Sequence, residues 1–403
     1  MVREYKDSNV DWIGQIPQKW KTEKFKHIFR IKKIIAGKLG YDVLSVTQQG
    51  LKVKNINEGQ VANDYSNYQI VQVGDFVMNH MDLLTGYVDV SKQKGVTSPD
   101  YRSFNAIKKH EIDSRYYLYI FQFCYMTRIF YNLGHGVSNL GRWRLPAEQQ
   151  NEFILPFPPL AEQRLIANYL DKKCSKIDSL VELQEQMIAQ LTNYKQSVIT
   201  EAVTKGLNPD VQLVPSDIDW IDVIPKEWNV CRIKDLVNLQ SGTNLTTVEI
   251  TDSGHFPVYG GNGIRGYYHQ YSNDGDFILI GRQGALCGNI NYASGKFWAT
   301  EHAVVCYPKR DFARIWLGEL LRAMNLGQYS LSAAQPGLAV ERIKNLKMPL
   351  PPIDEQQAIA FYLDTKCGEI DKLIETKRQK IETLKEYKKS MIYEAVTGKI
   401  DVE

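Results

Sequence analysis

The sequence is poor in the signatures of chemistry. Across 403 residues there is no G-x-x-x-x-G-K-[ST] to cradle phosphates, no [DN]-P-P-[FY] for amino-group methyl transfer and no H-E-x-x-H. The histidines (His27, His80, His110, His135, His255, His269, His302) show no metal-ligand spacing. Six cysteines (Cys124, Cys174, Cys231, Cys287, Cys306, Cys367) are scattered, with neither a C-x-x-C pair nor a nearby histidine, which argues against a zinc site and for reduced thiols. The chain is therefore expected to be a binding module, not an enzyme, with no metal and no cofactor of its own. No run of 18 apolar residues and no charged start leading into an apolar stretch occurs, so a cytoplasmic protein without membrane contact is expected. Net charge is only +3, so any nucleic-acid face must be local.

What the sequence has is duplication. LPFPPLAEQRLIANYLDKKC and its continuation, residues 155–207, return as MPLPPIDEQQAIAFYLDTKC and onward, residues 348–400, at a constant offset of 193. Each copy opens with Pro-x-Pro-Pro, which imposes an extended start and permits a helix just after it. No proline follows within either copy. From Ala161 to Thr204 an uninterrupted helix would be on the order of 66 Å long, too long for an ordinary globular helix. Ile177, Leu180, Met187, Leu191, Tyr194 and Val198 fall on heptad positions, with Gln184 a polar interruption; Ile370, Leu373, Leu384, Tyr387 and Met391 fall on the matching ones. Such a seam needs a partner helix. Each rod could pack on its own domain, but two similar seams in one chain can bury each other, and that is the expectation.

Duplication extends beyond the rods. DWIGQIPQKW (Asp11 to Trp20) returns as DWIDVIPKEW (Asp219 to Trp228), Gly-Asp-Phe returns at Gly74 and Gly275, and Asn132-Leu133-Gly134 returns as Asn325-Leu326-Gly327. The fold class expected is α+β: two similar mixed, strand-rich domains, separated by two long antiparallel coiled-coil helices in a pseudo-twofold plan. The divisions are 1–155 for the first domain, 156–207 for the central helix, 208–348 for the second domain and 349–403 for the C-terminal helix. The repeated tryptophans around a fixed Ile-Pro are expected to clamp the chain against a core.

Reading DNA calls for Arg, Lys, Asn, Gln and His on rigid glycine-rich loops, because bidentate donors read purine edges. The first domain offers Asn79, His80 and Asp82; Thr97, Ser98, Tyr101 and Arg102; and His135, Ser138, Asn139, Arg142 and Arg144. The second offers Asn262 and Arg265, Arg282 and Gln283, His302, and Gln335. Taken singly, a glycine-rich polar loop is most often an ordinary surface turn. Their position is informative: Arg142 and Gln335 occupy equivalent places on a repeated frame whose loops differ, which is where selectivity would be put. Lys24, Lys26, Arg30, Lys32, Lys33 and Lys38 form the densest basic run and are candidates for phosphate contact.

The PPLAEQ and PPIDEQ openings with their Tyr-Leu-Asp-x-Lys-Cys helices (Tyr169 to Cys174; Tyr362 to Cys367), the repeated DWIxxIPxxW and the domain-rod-domain-rod order resemble the specificity subunit of type I restriction-modification systems. The resemblance covers essentially the whole chain. It implies two target recognition domains, each reading one half of an asymmetric bipartite site in double-stranded DNA, with the helices as a ruler for the spacer. It further implies that two methyltransferase subunits dock on the helical seam residues, and that restriction subunits join them. S-adenosylmethionine, ATP and Mg2+ would belong to those partners. The alternative is a coiled-coil scaffold without DNA specificity.

Overall fold

The computed structural model describes residues 3–55, 64–136, 143–284, 286–330 and 337–402. The chain divides into two compact units, Met1–Leu183 with Gln379–Glu403, and Gln184–Arg378. Each is built on two four-stranded sheets.

In the first unit the strands are β1 (Phe29–Lys32), β2 (Val43–Thr47), β3 (Gly50–Val53), β4 (Gln69–Val71), β5 (Phe76–Met78), β6 (Val88–Val90), β7 (Gly95–Thr97) and β8 (Arg102–Ala106). One sheet has the order β3-β2-β7-β4, the other β1-β8-β5-β6. Only β7 on β2 is parallel among these pairs; the rest are antiparallel. Helix α1 (Ser114–Met126) covers the second sheet, capped by the Asp113 side chain, which accepts from Arg115 N. Between them lies an aromatic core: Phe25, Phe29, Phe76, Phe104, Tyr117 and Phe121 are essentially inaccessible to solvent, and Phe76 stacks on Phe104 with ring centroids 5.0 Å apart.

Helix α2 (Leu160–Lys205) starts in the first unit and ends in the second. The second unit then repeats the plan with β9 (Val237–Ser241), β10 (Phe256–Gly260), β11 (Gly263–Tyr268), β12 (Asn273–Asp274), β13 (Phe277–Gly281), β14 (Ile290–Ala293), β15 (Lys296–Ala299), β16 (Ala303–Pro308) and helix α3 (Arg314–Ala323). Sheet orders are β11-β10-β15-β12 and β9-β16-β13-β14. Again one pair, β10 with β15, is parallel. Here the core is aliphatic, with Ile278, Ile280, Val304, Leu317, Leu320 and Leu321 buried around Trp316. Helix α4 (Ile353–Val396) returns to the first unit.

The repeated Glu-Gln at each rod start has a structural cause. Glu162 and Glu355 each accept a hydrogen bond from a tryptophan indole, Trp20 and Trp228, both at 2.8 Å. Gln163 and Gln356, both buried, use the amide oxygen to accept from the backbone N–H at the start of the domain helix (Asp113 and Ala313) and the amide nitrogen to donate to Pro158 O and Pro351 O. The other tryptophans, Trp12 and Trp220, donate to Ile154 O and Lys347 O, both at 3.3 Å. All four indoles clamp the chain and serve structure.

Within each unit the rod halves pair antiparallel. In the first, Asp178 meets Lys388 at 2.6 Å while Ile177, Leu170 and Ile166 share a core with Met391, Ile392 and Val396. In the second, Lys195 meets Asp371 at 2.6 Å while Val198 and Ala202 share a core with Leu363 and Ile359. Those same cores include domain residues, so each rod half packs on both its domain and the other rod.

The seam register differs from the sequence expectation. Ile177, Val198, Ile370 and Met391 are buried, and Met187, Leu191 and Leu384 half-buried. Leu180, Tyr194, Leu373 and Tyr387 are 44%, 52%, 51% and 57% exposed, and are not seam residues. The covered stripe on α4 is instead Cys367, Ile370, Ile374, Lys377, Ile381, Leu384, Lys388, Met391. That is an alternating three-four spacing in which two lysines, Lys377 and Lys388, stand half-covered, and the Lys388 head reaches Asp178. Tyr387, expected on the seam, is exposed, and its neighbour Lys388 is half-covered in its place.

Candidate nucleic-acid interface

In each unit the strand at the centre of the helix-covered sheet runs out into a loop held from beneath by one backbone contact. In the first, Leu145 N donates to His80 O at 2.9 Å; in the second, Leu338 N donates to Arg282 O at 2.9 Å. Leu145 and Leu338 are repeat equivalents, both buried. His80 and Arg282 thus occupy the same place on two copies of one frame. Around that place the structure gathers most of the candidate residues.

In the first unit His80 is buried, with Nδ1 lacking a partner among the described residues. Burial, with the Arg102 and Arg144 charges nearby, pushes its imidazole down to about 3, so it is neutral at pH 7. Arg102 is also buried: it donates to Gln150 Oε1 at 2.5 Å and to Leu145 O at 3.2 Å, and burial brings it down to about 10. It braces the loop from below. Asp82 caps its own turn, accepting from Leu84 N and Thr85 N at 3.0 Å each. Thr97 is fully buried and donates to Leu44 O, and Tyr101 packs against the cluster of Leu44, Val46, Val71 and Val77; both serve the sheet. Ser98 caps Asp100 N, and Asn79 Oδ1 accepts from Met81 N. His135 and Arg144 are exposed and pair through both backbone groups. Ser138, Asn139 and Arg142 lie outside the described residues.

In the second unit three loops converge. A Cβ added to Gly261 would sit 3.0 Å from Gln283 O and 3.5 Å from His302 O. Arg282 N donates to His302 O, and its guanidinium donates to Ser241 Oγ at 3.1 Å. Asn262, Arg265 and Gln283 are exposed, and Asn262 Oδ1 accepts from Asn289 Nδ2 at 2.6 Å. His302 faces Glu301 at 3.1 Å. Gln335 lies outside the described residues. The second unit therefore brings its described candidates together near one surface, whereas the first buries Thr97, Arg102 and His80.

The basic run is partly spent internally. Lys24 and Lys26 both pair with Glu152, whose carboxyl they hold at about 2, and Lys32 pairs with buried Asp75. Arg30, Lys33 and Lys38 stay exposed. Sequence reasoning missed Gln48, at the tip of the β2–β3 hairpin, whose Nε2 donates to Thr85 O at 3.5 Å, and Asn289, which orients Asn262. Among the described residues no group of acidic, histidine and cysteine side chains could hold a metal ion, and no helix is long and apolar enough to cross a membrane.

Residues 17–193 and 225–386 match the profile of the type I restriction modification DNA specificity domain. The chain belongs to that family. The two matched segments take in the sheets of each unit and most of each rod. A stretch of 134 residues is 44% identical to the type I restriction enzyme EcoprrI specificity subunit of Escherichia coli, covering 32% of this chain and 33% of that protein. Over 278 residues the chain is 26% identical to the type I restriction enzyme MjaVIII specificity subunit of Methanocaldococcus jannaschii, 62% of each. In fold it resembles a chain from a structure on complex assembly and conformational transition of the type I R-M system, with a TM-score of 0.74 at 13% identity, covering 96% of this chain and 99% of the other. The family is one of specificity subunits, and two similar domains with linking helices are the fold that this chain shares with that structure.

Proposed function

We propose that this chain reads a bipartite, asymmetric site in double-stranded DNA, one half-site per unit, as the non-catalytic specificity subunit of a type I restriction-modification complex. The observation that carries this reading is the identical backbone support, Leu145 to His80 and Leu338 to Arg282, beneath loops of unlike sequence. One frame with two sets of tips is what two different half-sites require. Arg282, Asn262, Arg265 and Gln283 in one unit, and Arg144, His135 and Asn79 in the other, are the groups available for base and phosphate contact.

The rods support docking of two copies of one methyltransferase partner. The same leucine and tyrosine are left uncovered twice, Leu180 with Tyr387 in the first unit and Leu373 with Tyr194 in the second. Exposed apolar side chains at repeat-equivalent positions suit two equal contacts. S-adenosylmethionine would be bound by that partner, and ATP and Mg2+ by the restriction subunits that join it in the cytoplasm.

The test is to co-express the chain with a candidate methyltransferase subunit and map adenine methylation across a plasmid library. Methylation confined to one bipartite motif is expected. A complex that forms but methylates without sequence preference would favour the scaffold alternative.

A further inference from the structure

Two exposed leucines recur where little else does. Leu84 and Leu286 lie on the turns that follow β5 and β13, just beyond the His80 and Arg282 positions, and are 55% and 56% exposed. The turns are closely held. A Cβ on Gly86 would lie 2.0 Å from Asp82 O, and one on Gly288, at φ +87°, would lie 2.3 Å from Gly327 N. Leu84 N is fixed by Asp82, and Leu286 O accepts from Asn289 N at 3.1 Å. A single exposed leucine is unremarkable. The same leucine, equally exposed, on a fixed turn in both copies of otherwise unlike loops is not explained by the core of either unit.

Each leucine also has an amide beside its turn, brought there by a different element. In the first unit it is Gln48, from the tip of the β2–β3 hairpin, whose Nε2 contacts Thr85 O and so uses one of two amide hydrogens. In the second it is Asn262, from the tip of the topologically equivalent β10–β11 hairpin, held by Asn289, whose backbone in turn bonds to Leu286. An aliphatic group next to a side-chain amide has a particular complement in DNA. In the major groove an A·T pair presents the adenine N7 acceptor and N6 donor, which suit an amide, next to the thymine C5-methyl, which suits an aliphatic side chain. No other base pair offers that combination.

We propose that each unit reads one A·T pair in the major groove through an amide–leucine couple, Gln48 with Leu84 and Asn262 with Leu286. The inference rests on the DNA-reading function above and adds the identity of a base pair in each half-site. Arg144 and Arg265, exposed nearby, suit the flanking phosphates.

The experiment uses the full chain purified with the methyltransferase partner that gave the motif, and duplexes carrying that motif. Each thymine of both half-sites is replaced in turn by uracil, which lacks the methyl group. One thymine per half-site is expected to lose about four-fold in affinity on replacement, the value of burying one methyl. That loss is expected to vanish in Leu84→Ala for one half-site and in Leu286→Ala for the other, each variant leaving the opposite half-site unchanged. Replacing the paired adenine by 7-deazaadenine should weaken the wild type about five-fold or more, and do so less in Gln48→Ala or Asn262→Ala. A complex that is specific for its motif but whose uracil losses persist undiminished in both leucine variants, or that shows no such thymine, overturns the inference alone. Wild type that binds all duplexes alike overturns the DNA-reading function, and the inference with it. Because both leucines are exposed, their variants should melt with the wild type.

Discussion

The two units have one topology and two kinds of core. In the first, aromatic rings fill the space between the β1-β8-β5-β6 sheet and α1; in the second, isoleucine, valine and leucine do so around Trp316. Strand order, the one parallel pair and the Trp–Glu clamp are nonetheless the same. Topology here is set by what is shared, the pattern of inward positions and the clamps, and not by the shapes that fill the core. The difference can be pressed hardest at Phe104, stacked on Phe76 and edge-on to Phe29 and Phe121. Phe104→Ala should cost about 3–5 kcal/mol. Ile280→Val in the second unit should cost about 1 kcal/mol. Denaturant unfolding of the full chain, with hydrogen exchange followed separately in each unit, measures both. A Phe104→Ala loss no larger than that of Ile280→Val would mean that the neighbouring rings close up over the missing one.

A second asymmetry sits at the loop itself, where one unit has His80 and the other Arg282. The folded His80 titrates near 3 against an ordinary value of 6.5, because charging it would bury an unpaired cation beside two arginines. A depressed histidine contributes stability that is complete above pH 6.5 and lost as pH falls toward the folded value, since the unfolded chain takes up the proton first. By pH 5 the loss should reach about 2 kcal/mol. His80→Asn should flatten that part of the pH profile, and Arg282→Asn should not change it. An unchanged slope in His80→Asn would place the acid sensitivity elsewhere.

The frame was legible in the sequence because it is written twice: the Pro-x-Pro-Pro starts, the Glu-Gln pair and the Ile-Pro tryptophans recur in order, and repetition separates structural need from accident. The seam was half legible. Leu180 next to Val181, and Leu373 next to Ile374, offer two registers of equal apolar quality, and the three-dimensional choice went to the register that brings Lys195 and Lys388 within reach of Asp371 and Asp178. Loop residues were least legible. Arg102 and Thr97 have the side chains of base readers but are buried, a matter of sheet register that composition does not reveal. Gln48 gave no signal, since its counterpart in the other copy is a Gly-Asn turn, and only the shared hairpin places the two alike.

The clamps offer a smaller and more even comparison. Removing the carboxylate in Glu355→Ala leaves the Trp228 indole N–H without its acceptor, at about 1.5 kcal/mol. Glu162→Ala should cost more, because Glu162 also pairs with Arg3 at 2.5 Å. Thermal unfolding of the two single variants, each beside its Trp→Phe partner, checks the order. If Glu355→Ala costs more, then the Arg3 contact adds nothing and the units are unlike at the clamp as well.

The smallest effect tests the deepest likeness. Lys195 with Asp371 and Lys388 with Asp178 are the same pair, each joining one repeat to the other, with the aspartates 57% and 60% exposed and the lysine side chains 27% and 25% exposed. Partly solvated pairs of this kind couple by less than about 1 kcal/mol. Double-mutant cycles with Lys→Met and Asp→Asn should therefore give small couplings that are equal in the two units and that shrink in high salt. Methionine keeps the covered stem, so Lys→Ala should cost more than Lys→Met by the packing of methylene groups alone. A coupling near zero with a large Lys→Ala loss would make these lysines seam residues first and ion-pair partners second. Their inward positions in a mostly apolar three-four stripe favour that result, because position in the stripe is kept at both sites whatever the charge contributes.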